Sequence, residues 1–179
     1  MPTHVKELWK VDPSHSEIQF KVKHLVISTV TGSFTSYTGE VEANGDDFEN
    51  AVVTFNADID SISTNDEKRD NHLKSADFFD AEAFPKLTFE STLFEQIGDG
   101  EYRVKGNMTI RDKTEEVILN AVHGGTVKDH LGNTKAGFEI NGVINRKKFG
   151  LTLDPVTEAG TVVVSDKIKL QMNVQLGKN

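Results

Sequence analysis

Cysteine is absent from this sequence. There is therefore no disulfide framework, no thiolate nucleophile and no thiolate metal site. Proline occurs only four times and tryptophan once. No apolar run approaches the roughly 20 residues that a membrane-spanning helix needs, so stable membrane insertion is not expected. Positive charge is scarce as well. Twenty Lys and Arg stand against 28 Asp and Glu, a net charge of -8, which works against binding nucleic acid or adhering to anionic membranes. The two basic clusters, Lys68-Arg69 and Arg146-Lys147-Lys148, read first as solvated turn residues.

Recognisable catalytic and cofactor motifs are missing too. There is no G-x-S-x-G elbow, no phosphate-binding P-loop and no dinucleotide glycine motif. Gly98-Asp99-Gly100 is a turn. The six histidines, His4, His15, His24, His72, His123 and His130, include no pair at HExxH spacing, and no acidic series matches a calcium loop. Neither a metal nor a cofactor is expected, and the chain does not read as an enzyme. The N-terminal Met1-Pro2-Thr3-His4-Val5-Lys6-Glu7 lacks the apolar core of a secretory signal. The sequence as it stands is expected to be cytoplasmic, or periplasmic if a signal has been removed.

What the sequence has in abundance is alternation. Its 179 residues suit one domain, residues 1–179, with a sizeable core. From Lys167 to Leu176 polar and apolar residues alternate throughout. Successive side chains of a strand point to opposite faces, so such a segment has one dry face and one wet face. Glu17 to His24 and Tyr102 to Ile110 repeat the pattern. Further runs cover Ser28 to Ala43, Ala51 to Asp58, Lys86 to Ile97, Glu115 to Val127 and Lys135 to Asn145, with a short lead strand at Leu8 to Val11. Turn residues part them, as at Asn44-Gly45-Asp46-Asp47 and His130-Leu131-Gly132-Asn133. Short connections imply antiparallel neighbours in chain order. About eight strands sharing one apolar face bury it by closing into a barrel, which also removes exposed edges.

One segment departs from this period. Between Ser61 and Phe84 the spacing of Arg69, His72, Leu73 and Ala76 is helical. Thr64-Asn65-Asp66-Glu67 fits a capping box, with Thr64 as the cap. Phe78-Phe79 supplies an apolar plug, and Pro85 stops any helix. A short helical insert over residues 61–84 is predicted.

Five segments taken together resemble the YceI-like family of polyisoprenoid-binding proteins with a lipocalin-like barrel. They are Trp9-Lys10-Val11-Asp12-Pro13-Ser14-His15-Ser16, Gly32-Ser33-Phe34, the run from Arg69 to Asp80, the run from Phe84 to Ser91, and Arg146-Lys147-Lys148-Phe149-Gly150. The resemblance extends from Trp9 to about Leu176. It implies an eight-stranded antiparallel barrel with a helical insert and a long amphipathic lipid inside it.

The inward face is expected to carry Ile18, Phe20, Val22, Phe34, Phe55 and Phe89 on the earlier strands. Val104, Met108, Leu119, Phe138, Ile140, Leu170 and Met172 continue it on the later ones. A barrel of eight strands is near the size at which side chains either fill the inside or leave room for one ligand. A packed core and an open tube are both consistent with the pattern, and the resemblance implies the tube. A charged lipid head would need a cation at the barrel mouth. Arg69, His72 and Arg146 are the available groups, with Asp12 and His15 at a strand–turn junction that could reach the same rim. Each has a plainer reading. Arg69 could pair with Asp66 or Asp70, and His72 could be a partly buried helix histidine. The expected partner is a long-chain isoprenoid or a similar lipid, stored or carried, and a homodimer is left open. The alternatives are another lipid such as a fatty acid or fatty amide, or a structural protein with a filled barrel.

Overall fold

The alternating runs pair in chain order, and the last returns to the first. A computed structural model describes residues 6–25, 27–153 and 164–179. Strands β1 (Lys6–Val11) and β2 (Glu17–His24) lie end to end along β11 (Val164–Lys178), parted by a 3-10 turn at Pro13–His15. In the same way β3 (Ser28–Phe34) and β4 (Tyr37–Asn44) are two halves of one stave, as are β5 (Asp47–Asp58) and β6 (Ile62–Ser63). The remaining staves are β7 (Lys86–Gly98), β8 (Glu101–Ile110), β9 (Lys113–Lys128), β10 (Thr134–Asn145) and β11, which makes eight antiparallel staves in a closed ring. Trp9 opposite Lys178 and Val11 opposite Leu176 complete the closure. The expected lipocalin-like, all-β architecture is thus the one observed.

The antiparallel meander divides the connections between two ends. The lower end carries tight turns in which Gly45, Gly100 and Gly132 adopt positive φ, a conformation that costs glycine nothing. The upper end carries the β2–β3 connection, the insert, the Arg111-Asp112 turn and the 3-10 turn at Arg146–Phe149.

The expected short helical insert lies between β6 and β7. Its helix, α1, spans only Glu67–Lys74, and hydrogen-bonded turns carry the chain on to Phe84. The cap differs. Asp66, not Thr64, accepts a hydrogen bond from the Arg69 backbone N–H. Thr64 is buried and tied sideways into the helix. It donates from its N–H and its Oγ1 to Asp70 Oδ1 at 2.8 and 2.6 Å, and it accepts from Arg69 Nε at 2.7 Å. A carboxylate cap outcompeted the hydroxyl, and the threonine became the anchor of the insert.

The two plug phenylalanines are unequal. Phe78 is buried at 7% exposure beneath the His72 ring, with centroids 5.1 Å apart. Arg111 Nη1 donates to its carbonyl at 3.4 Å. Phe79 is half-buried and meets Phe34 edge-on at 6.4 Å. Phe78→Ala is therefore expected to cost about 3–4 kcal/mol and Phe79→Ala about half of that. Urea denaturation of the two variants checks the order, and a larger loss for Phe79→Ala would contradict it.

Candidate functional site

The barrel is hollow. A cavity of about 380 Å³ runs along its axis, within the range of about 300–1,000 Å³ usual for small-molecule sites. Its wall is almost wholly apolar. All thirteen side chains expected on the inward face border it, from Ile18 and Phe20 to Leu170 and Met172. Several of them, including Phe20, Phe55, Ile140 and Met172, remain only partly covered by protein. Apolar groups that face inward and yet are not packed mark an interior that side chains do not fill.

Glycines help to keep the lumen open. A Cβ on Gly32 would lie 2.2 Å from Phe20 Cζ, and one on Gly106 would lie 2.5 Å from both Phe89 Cζ and the Glu90 carbonyl oxygen. Each ring lies across a bare stretch of strand instead of projecting into the axis. A glycine inside a strand signals such a close approach, and it is a signal the alternation pattern alone passes over.

The lower end is closed by aromatic rings. Phe48, Phe94 and Phe138 border the cavity. Behind them Trp9 packs 5.2 Å from Phe48, Tyr102 lies 5.0 Å from Phe94, and His123 stacks on Phe138 at 5.0 Å. Of the three rings that border the cavity, only Phe138 is evident from strict alternation. At Phe48 and Phe94 the register slips. The β4–β5 ladder shifts between Glu42 and Asn44, with Asn50 at φ 64°, and the β7–β8 ladder shifts between Ser91 and Leu93. Each bulge moves the inward phase by one residue.

At the upper end the cavity reaches Lys23, His24, Arg69, His72 and Arg146. Their polar atoms are largely engaged elsewhere. Arg146 is only 3% exposed. It donates to the carbonyl oxygens of Leu151, Leu153, Ser165 and Val164 at 2.7 to 3.3 Å, with Asp166 Oδ1 at 3.6 Å. Arg69 gives Nε to Thr64 Oγ1 and Nη2 to the Thr64 carbonyl, both at 2.7 Å. The alternative pairing of its guanidinium with Asp66 or Asp70 is replaced by this two-point hold on the Thr64 hydroxyl and carbonyl. His72 is exposed, and its Nε2 lies 2.9 Å from Asp77 Oδ2.

Asp12 and His15 require a correction. The 3-10 turn that holds them interrupts the β1–β2 stave partway along the barrel wall, and neither borders the cavity. They form a local cluster. Asp12 accepts from the Ser14 N–H and hydroxyl at 3.0 and 2.7 Å and lies 2.9 Å from His15 Nδ1. The Ser14 hydroxyl, then His15, holds the Asp12 carboxyl at about 2, so the turn stays capped in mild acid. A proline-led turn within one long stave, with β1 and β2 collinear, is what keeps the pair from the rim.

Comparison with known proteins agrees with this geometry. The family model of the YceI-like domain matches residues 9–176. A UPF0312 protein of Staphylococcus aureus is 34% identical over 165 residues, 92% of this chain and 94% of the relative. Among solved structures, the YCEI protein of Campylobacter jejuni superposes with a TM-score of 0.75 at 31% identity, covering 88% of this chain and 90% of that one. A polyisoprenoid binding domain from Saccharophagus degradans shares the fold at a TM-score of 0.68 and 12% identity, over 96% of this chain and 98% of that one. The cavity-bearing eight-stave barrel, its short insert and the match over nearly the whole length lead to one conclusion: this chain belongs to the YceI-like family.

Proposed function

We propose that the barrel takes up the apolar chain of a single long lipid, a polyisoprenoid in the first place, and stores or carries it unchanged. The observation that carries this reading is the apolar, unfilled cavity of about 380 Å³. Each Å² of apolar surface moved out of water contributes about 25 cal/mol, so a long hydrocarbon needs no dedicated polar motif to bind there. The Saccharophagus degradans domain of the same fold is described as polyisoprenoid binding, which favours a prenyl chain over a straight acyl chain. Recognition then rests on the chain more than on the head, because Arg69 and Arg146 are bonded to backbone carbonyls. The head sits at the upper end near His72 and Lys23.

Native mass spectrometry after mild purification tests the proposal. One bound lipid per chain is expected, and organic extraction should release it chemically unaltered. A released fatty acid would replace the prenyl reading with an acyl one. Protein without lipid that also fails to take up added prenol would overturn the carrier function, and a chemically altered product would indicate an enzyme.

A further inference from the structure

We propose that Phe138, wedged between Phe48 and Phe94, is the stop that sets the longest lipid chain the barrel admits. This rests on the carrier reading and adds to it a determinant of length. The argument begins with the asymmetry of the two ends. At the upper end the cavity reaches exposed side chains such as His72. At the lower end it terminates on three rings backed by a second layer. A chain entering from above therefore has a blind end to meet.

Phe138 holds that floor together. Its ring is 4.9 Å from Phe48 and 6.3 Å from Phe94, both edge-on, and 5.0 Å from His123, which stacks on it. Edge-to-face packing of this kind fixes a ring in place more firmly than aliphatic contact does. His123 is itself pinned, with Nε2 2.8 Å from Thr126 Oγ1 and its N–H bonded to the Gly100 carbonyl at 2.7 Å. The backbone is shaped for the purpose. The β9–β10 ladder shifts between Gly137 and Phe138, just as the ladders beside Phe48 and Phe94 do. The bulges on β5 and β7 re-aim Phe48 and Phe94 onto the axis, a recognised use of a bulge, whereas the extra residue of the β9–β10 ladder, Gly124, lies on β9 and leaves Phe138 in phase with Ala136 and Ile140.

Binding of a series of prenols of increasing length, measured with purified wild type, Phe138→Ala and Phe138→Leu, tests the stop. Wild-type affinity should rise with each added isoprene unit and then cease to rise. Phe138→Ala should carry the rise at least one unit further. The first prenol beyond the wild-type limit should bind about tenfold more tightly to it, since several more CH₂ groups leave water. Phe138→Leu, which keeps an apolar floor if the alanine variant folds poorly, should move the limit by a smaller amount in the same direction. Leu170→Ala serves as the control. It widens the tube at mid-height and should change affinity at every length without moving the limit. An unchanged limit in both Phe138 variants, or an equal displacement by Leu170→Ala, would overturn the stop while leaving the carrier function intact. Absence of prenol binding to the wild type at every length would remove both.

Discussion

Arg146→Ala is expected to lower stability by about 3–5 kcal/mol, because it strips one buried and three part-buried carbonyls of their donor at once. In the folded protein this guanidinium ties the Leu151–Leu153 segment to the start of β11. Arg146→Lys should rescue little, since an ammonium cannot reproduce a planar fork of donors. Urea denaturation gives the loss, and paired titrations with a prenol and the matching prenyl phosphate show its meaning. Both lipids should bind less well by the same factor, through weakening of the upper end. A selective loss of the phosphate would instead make Arg146 a reader of the head group.

Met108→Trp is expected to abolish lipid uptake in a barrel that still folds. Met108 is buried at 7% exposure, pairs with Phe89 across the β7–β8 ladder and borders the cavity. An indole at that point projects across the tube. Overpacking there should cost about 1–3 kcal/mol, which leaves the fold in place. Circular dichroism should keep its β-type spectrum while no lipid survives purification. A folded Met108→Trp protein with full lipid occupancy would show that the chain does not pass this level.

These two residues also show which parts of the site could be read from sequence. Met108 lies in a run with unbroken alternation, and there the face is legible from period alone. Phe48 and Phe94 face the same cavity, but a bulge beside each breaks the phase, and a slipped register cannot be seen without the partner strand. The polar residues were harder for another reason. Arg146 is recognisable as a cation near the upper end, yet nothing local reveals that its donors go to the Leu151, Leu153 and Val164 carbonyls. Thr64 fitted a capping pattern that Asp66, two residues on, satisfied instead. Asp12 and His15 lie in a segment whose turn chemistry was legible, but their height on the barrel depended on β1 and β2 being collinear along β11.

The pairing of β1 with β11 has a consequence for synthesis. The wall of the tube is incomplete until the strand Val164–Lys178 joins Trp9 and Val11. A nascent chain that has reached β10 is an open trough, with its apolar face unpaired at both margins. If the barrel is a lipid carrier as proposed, loading before that moment would leave the lipid exposed to water along a whole side, so cargo is expected to enter only a finished barrel. The interval before the last strand emerges is also the one in which this protein has most to gain from a chaperone.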